Sequence, residues 1–122
     1  MNLITDFIIR TTRTEQYMPL CDCGLVTRYV GMKFKRLFIV DHTINAILEN
    51  DEEAVVSFYM TCLHDNRETT VDVTFENGDI KMFELDKPNG IEEFNNYFDE
   101  YHKNGCTEEK QVIINDDEDL IV

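Results

Sequence analysis

The chain has 122 residues, of which 43% are hydrophobic, and a formal net charge of −14 at neutral pH. This size and apolar content predict one domain that spans residues 1–122 and has its own core. The negative charge disfavours direct binding to nucleic acid or to an anionic membrane. The chain has no run of about 18 apolar residues and no basic start typical of a secretory signal, so we expect a soluble cytoplasmic protein.

Four segments in the first half of the chain, and a short one near its end, favour β-strands. The first segment is rich in β-branched residues, although the spacing of Ile4, Phe7 and Ile8 also fits a helical turn. The others are short apolar or alternating runs between polar or turn-forming residues, as is typical of strands in a sheet. The predicted strands span residues 3–12, 25–30, 33–40, 54–63 and 111–114.

A short helix is predicted near residues 42–50. Ile44, Ile47 and Leu48 are separated by three and four positions, so they would form one apolar stripe on a helix.

Residues 69–85 predict a β-hairpin. Apolar and polar residues alternate on both sides of Asn77-Gly78, a pair that favours a two-residue type I′ turn because both residues tolerate a positive φ. Such a turn would place Phe75 opposite Ile80, with the apolar side chains of both strands on one face. Phe83 and Leu85 fall out of this phase, which indicates a bulge or a contact on the other face.

An amphipathic helix is predicted over about residues 90–103. Asn89 and Glu92 have the spacing of a capping box, and Asn104-Gly105 is typical of a helix C-cap. Together the elements predict an α+β fold, in which a mostly antiparallel sheet packs one face against this helix. The apolar stripe of the helix consists of Ile91, Phe94, Tyr97, Phe98 and Tyr101.

The cysteines do not indicate a cofactor or a catalytic centre. Cys21 with Cys23 and Cys62 with His64 could offer four ligands to zinc, but structural zinc ligands usually come in pairs separated by two to four residues. No nucleophile signature and no glycine-rich phosphate loop is present. We therefore expect free thiols, no metal or other cofactor, and a protein that is not an enzyme.

The charge is concentrated in one part of the chain. Residues 49–122 carry a formal charge of −16, whereas residues 1–48 carry +2. On the predicted helix, four carboxylates fall within about 12 Å, or one per roughly 3 Å, which is comparable to the phosphate spacing of about 3.4 Å along one DNA strand. The candidate partner-binding residues are Glu92, Glu93, Asp99, Glu100, Glu108, Glu109, Asp116, Asp117, Glu118 and Asp119.

These features favour a small acidic inhibitor that blocks a basic protein, in particular a nucleic-acid-binding enzyme, by acting as a nucleic-acid mimic. In size and composition the chain resembles the small acidic inhibitors of phage origin, such as anti-restriction and anti-CRISPR proteins, although no motif identifies a family. For a phage-encoded protein this implies the host cytoplasm. The alternatives are an immunity protein against a toxin nuclease, a non-catalytic adaptor or structural module, and acidity that serves solubility alone.

Overall fold

A computed structural model of the chain describes residues 1–13, 21–23, 25–41, 43–57 and 67–107. These ranges contain seven strands and one α-helix, together with a short 3-10 helix at Thr27–Tyr29. In chain order the elements are β1 (Ile4–Arg13), β2 (Cys21–Cys23), β3 (Phe34–Val40), β4 (Thr43–Leu48), β5 (Glu53–Ser57), β6 (Arg67–Phe75), β7 (Ile80–Glu84) and α1 (Gly90–Lys103).

The strands form one antiparallel sheet, and α1 packs against one face of it. The order is β5-β4-β3-β1-β6-β7, and β2 pairs with β1. The longest ladder joins β1 to β6, from Ile4 opposite Phe75 to Arg13 opposite Arg67. The predicted α+β fold is therefore confirmed. The α-helix of the described ranges, α1, is too short and too polar to cross a membrane.

The core lies between α1 and the covered face of the sheet. Alternate residues of β1 and β6 point to this face, as the period of two of a strand requires. The aromatic stripe of α1 packs onto them, as predicted. The fully buried side chains at this contact include Phe7, Ile9, Val71, Val73, Phe94 and Phe98.

The prediction of a short helix near residues 42–50 is wrong, because this segment is strand β4. Ile44, Ala46 and Leu48 are buried, and the residues between them are partly exposed. Ile44 and Leu48 are four positions apart, a spacing that fits both a strand and a helix. Only Ile47 favours the helical period, and in the structure it lies on the other face from the core.

The predicted strand over residues 25–30 is also wrong, since the 3-10 helix lies there. The N–H of Tyr29 bonds to the carbonyl of Val26 at 2.8 Å, and the N–H of Val30 bonds to that of Thr27 at 3.1 Å. The strand predicted over residues 54–63 is confirmed for Glu53–Ser57. Its remainder, and the strand predicted at 111–114, lie outside the described residues.

The hairpin of β6 and β7 is confirmed, but its turn differs from the prediction. The N–H of Gly78 bonds to the carbonyl of Phe75 at 2.9 Å, and the N–H of Phe75 bonds to the carbonyl of Asp79 at 2.9 Å. Gly78 has a φ of +93°, whereas Asn77 has no positive φ. This is the pattern of a type I turn followed by a glycine bulge, and it inserts one more residue than a type I′ turn does.

The additional residue reverses the faces of β7. Thr74 rather than Phe75 lies opposite Ile80. Ile80 and Met82 therefore point away from the core and are 65% and 59% exposed. Phe83 points towards α1 instead, with its ring centroid 5.0 Å from that of Phe94.

The two ends of α1 differ in how well the sequence predicts them. The capping box is not formed, because the Asn89 side chain makes no capping hydrogen bond. The predicted C-cap is present as a Schellman motif. In it, the N–H of Gly105 bonds to the carbonyl of His102 at 3.1 Å, and the N–H of Cys106 bonds to that of Tyr101 at 2.9 Å.

A side-chain amide of α1 completes the sheet where two strands separate. β3 pairs with β1 at a single position, Phe34 opposite Ile4. Further along β3, the Oδ1 atom of Asn95 accepts the N–H of Ile39 at 2.7 Å, and its Nδ2 donates to the carbonyl of Ile39 at 3.0 Å. Asn95 thus takes the place of a neighbouring strand at this residue and fixes α1 relative to β3.

Candidate functional site

The basic side chains that the structure describes are engaged within the fold. Six of these eight side chains form ion pairs with carboxylates. The other two, Arg28 and Lys81, lie over the rings of Tyr29 and Tyr97, at 5.1 and 4.9 Å from the ring centroids. The charge that remains without an internal partner is therefore mainly carboxylate. The six paired residues are Arg10, Lys33, Lys35, Arg36, Lys87 and Lys103.

Two lysines at the start of β3 neutralise carboxylates in neighbouring turns. Lys33 lies 2.6 Å from Glu76, beside the β6–β7 turn, and Lys35 lies 2.8 Å from Asp51 in the β4–β5 turn. The hydrogen bond from Lys33, joined by one from the N–H of Leu3, holds the pKa of Glu76 below its ordinary value. Lys35 lowers the pKa of Asp51 in the same way. Cations of the first half of the chain thus neutralise acids of the second half.

Asp99, one of the predicted partner-binding residues, lies between two cations of the same fold. Its carboxylate is 3.1 Å from Lys103, one turn later in α1, and 3.6 Å from Arg36 of β3. The hydrogen bond from Lys103, together with the charges of Lys103 and Arg36, lowers the pKa of Asp99. Asp99 is therefore ionised at neutral pH, but its charge is largely balanced.

The other three predicted residues of α1 are exposed. Glu92 and Glu93 lie in the first turn, where a negative charge also stabilises the helix dipole. Glu93 is 3.3 Å from Lys87, in the segment that precedes the helix. Glu92 and Glu100 make no ion pair with any described residue, so their charge is available to a partner.

The four helix carboxylates form two sparse rows rather than one dense array. Residues seven positions apart on an α-helix are separated by about 10 Å along the axis and by only about 20° around it. Glu92 therefore lines up with Asp99, and Glu93 with Glu100, with about 100° between the two rows. Each row has a spacing about three times the 3.4 Å rise of one DNA strand. The density deduced from the sequence is thus an average over two sides of the helix.

Sequence reasoning missed a second group of exposed carboxylates in and beside the β4–β5 turn. Four of the five residues from 49 to 53 are acidic and exposed, and this run is visible in the sequence itself. Of these, Asp51 is paired with Lys35, whereas Glu52 and Glu53 have no ion pair within the described part of the chain. The predicted site residues Glu108, Glu109, Asp116, Asp117, Glu118 and Asp119 lie outside the described residues.

Three adjoining hollows follow β7 and the neighbouring flank of α1. The first, of about 260 Å³, is lined by Lys81 and Tyr101, and the second, of about 330 Å³, by Lys81 and Tyr97. The third, of about 650 Å³, is lined by Tyr97, Tyr101 and Glu100. Because these residues are shared between hollows, we treat the three as one depression, the β7–α1 groove. The carboxylates along it are Asp79, Glu84, Glu93 and Glu100.

The described residues contain no group of three or more potential metal ligands. Cys62 and His64, half of the zinc set considered above, lie outside the described ranges. Cys106 is buried, its Sγ donates to the carbonyl of Lys35 at 3.4 Å, and burial raises the pKa of its thiol. These are the properties of a structural cysteine, since a reactive cysteine needs an accessible thiolate.

Comparisons of the chain with protein families, with curated proteins and with solved structures find no match.

Proposed function

We propose that the protein is a small acidic inhibitor that binds a basic nucleic-acid-binding protein and blocks its nucleic-acid site. One observation supports this most directly. Among the described side chains, the cations are paired or stacked within the fold, whereas Glu92, Glu100, Glu52 and Glu53 are exposed and unpaired. A cationic partner therefore approaches a surface whose available charge is negative.

The net charge and the local pairs act at different distances. The charge of −14 steers a basic protein towards the surface, an effect that salt screens over about 8 Å at physiological ionic strength. At contact, an arginine of the partner can replace Lys87 on Glu93. Exposed ion pairs of this kind contribute at most about 1 kcal/mol, so little stability opposes the exchange.

The two sparse rows on α1 suit separate arginine or lysine contacts better than they suit a continuous phosphate-binding track. The inhibitor would thus resemble nucleic acid in the sign of its charge, and it would block the partner's nucleic-acid site sterically. The rigid aromatic packing beneath α1 supports this mode, because carboxylates held in place lose less conformational entropy on binding.

The test begins with capture of partners from a cell lysate at about 0.05 M and about 0.5 M salt, followed by purification of the captured protein. We expect a basic protein that is bound at low salt and released at high salt. The purified partner should lose its labelled DNA or RNA when the inhibitor is added, and excess nucleic acid should displace the inhibitor. A partner that binds its nucleic acid equally well with and without saturating inhibitor would refute the proposal.

A matched pair of double variants separates the helix surface from net charge. Glu92→Lys/Glu100→Lys and Glu52→Lys/Glu53→Lys both change the charge by the same amount, and both leave the six ion pairs intact. If α1 is the contact surface, the first variant should weaken binding at least about tenfold more than the second, since pairing becomes repulsion at contact. Equal weakening would show that only the overall charge matters.

A further inference from the structure

Strand β7 has one edge that no described residue pairs with. It ends the sheet order, with β6 on its other side. The carbonyl of Asp79 and the N–H of Leu85 bond to β6. Because hydrogen bonding alternates along an antiparallel ladder, Lys81 and Phe83 also bond to β6, whereas the backbone groups of the alternate residues of β7 point to the open edge. Those residues are Ile80, Met82 and Glu84.

The surroundings of this edge fit an added strand. On the outer face the added strand would meet Ile80 and Met82, which are among the most exposed large apolar side chains described. On the inner face it would border the β7–α1 groove, where Tyr97 and Phe83 offer aromatic surface and Glu93 lies at the rim. A strand next to a helix-lined groove is the geometry in which extended peptides bind by β-augmentation: backbone bonds give affinity, and alternate side chains give specificity.

We propose that the open edge of β7 and the β7–α1 groove bind an extended basic segment of the partner as an additional strand. Its apolar side chains would lie beside Ile80 and Met82, and its basic side chains would face Glu93 and Glu100. This inference rests on the proposed function only for the sign of the partner's charge.

Charge favours a basic segment of a partner at this edge over a second copy of the chain and over the chain's own residues 108–119. A second copy of the chain would bring another charge of −14 to the interface. The chain's own residues 108–119 contain six carboxylates and one lysine, so they also carry the sign of the groove. Four carboxylates line the groove against two lysines, Lys81 and Lys87, and Lys87 is already paired with Glu93. Only a basic segment gains electrostatic energy on docking.

The test uses a synthetic peptide of about seven residues that alternates lysine and valine, long enough to span β7. Amide hydrogen exchange is followed by NMR on the full chain. The amides of Ile80, Met82 and Glu84 should exchange freely without peptide and at least about tenfold more slowly at saturation. Those of Lys81 and Phe83 should be protected in both states. A peptide of the same sequence with N-methyl groups on alternate residues is the control, because it keeps the charge but loses the edge-facing donors.

Protein variants test the same contact from the other side. Met82→Pro removes a donor at the open edge and should abolish peptide binding, whereas Met82→Ala keeps that donor and should retain most of the affinity. Lys81→Met removes a positive charge that repels the basic peptide from the groove, so it should tighten binding severalfold. A urea denaturation curve for each variant shows whether it is folded. Unchanged exchange at the edge under saturating peptide, or equal affinity for the N-methylated peptide, would overturn the proposal.

Two further outcomes count against a basic partner strand at this edge. Protection of the β7 edge that grows with protein concentration would assign the edge to a second copy. Protection in the free chain at every dilution would assign it to another part of the same molecule.

Peptide binding at β7 without capture of any nucleic-acid-binding protein would support the edge site and oppose the proposed function. An inhibited partner that binds the Met82→Pro variant as tightly as it binds the original chain would support the proposed function and oppose the edge site.

Discussion

Replacing Asn95 tests how α1 is held on the sheet. In Asn95→Ala, the N–H and the carbonyl of Ile39 lose their partners, at 2.7 and 3.0 Å, in a partly buried position. Each unsatisfied backbone group costs about 1–3 kcal/mol, and the higher helix propensity of alanine returns about 0.5 kcal/mol. We therefore expect the free energy of unfolding to fall by about 1.5–5.5 kcal/mol.

The neighbouring residue provides a matched control. Asn96 is of the same type and lies on the exposed side of the same helix, so Asn96→Ala changes the same atoms and the same propensity without removing a contact to β3. Its free energy of unfolding should stay within about 0.5 kcal/mol of the original chain, or rise slightly. Urea denaturation followed by circular dichroism measures both variants, and an unchanged m-value shows that the comparison is valid.

Equal stability of the two variants would refute the reasoning. It would mean that water replaces the amide of Asn95 at no cost, and that the apolar stripe alone positions α1. Asn95→Asp refines the result, since it keeps an acceptor for the N–H of Ile39 and loses the donor to its carbonyl. We expect it to be less stable than the original chain at neutral pH, where the carboxylate faces the carbonyl oxygen.

Three further predictions concern the core, the start of α1 and the ion pairs. Phe98→Ala should cost about 3–5 kcal/mol in urea denaturation, because the side chain is fully buried among aromatic rings. Gly90→Ala should destabilise the fold despite the higher helix propensity of alanine, since the added Cβ would lie 2.9 Å or less from backbone atoms just before the helix; a stabilised variant would contradict this. Ion pairing lowers the pKa values of Asp51, Glu76 and Asp99, so the stability that these pairs contribute is present above the ordinary carboxylate pKa values of about 4. It is lost as the pH falls through the lowered values, so the urea concentration at the midpoint of unfolding should decrease once the pH is below about 4. A midpoint concentration that stays constant in that pH range would contradict this.

Local patterns predict the elements better than they predict the register. The β6–β7 hairpin and α1 follow from alternation, from Asn77-Gly78 and from the aromatic stripe. The sequence does not settle the one-residue shift in the hairpin. Phe83 and Leu85 fall out of phase with Ile80 and Met82, which indicates an irregularity, but Asn-Gly can occupy a type I′ turn or the last two positions of a type I turn with a bulge. That choice decides whether Ile80 and Met82 are buried or exposed, so the open apolar edge of β7 could not be deduced from the sequence.

Contacts between distant residues account for the other differences. Strand β4 is a strand because it pairs with β3 and β5, and no local spacing of its apolar residues settles this. The bond of Asn95 to Ile39 joins residues 56 positions apart. In the candidate site, the exposed acids could be found from the sequence, but the pairing of Arg36 with Asp99 could not. Together with the pairs Lys103–Asp99 and Lys87–Glu93, that pairing leaves Glu92 and Glu100 as the carboxylates of α1 without an ion pair to a described residue.

The acidity and the open edge are physically related. An exposed strand edge with apolar side chains invites pairing between copies, and natural proteins protect such edges with charge. In β7 the protection is partial: Lys81 points inward over Tyr97, while Ile80 and Met82 stay exposed. A net charge of −14 supplies the remaining barrier against self-association, because every like-charged copy is repelled before its edge can pair. The same charge attracts a cationic chain, so one property can keep the edge free of copies of the protein and open to a basic partner.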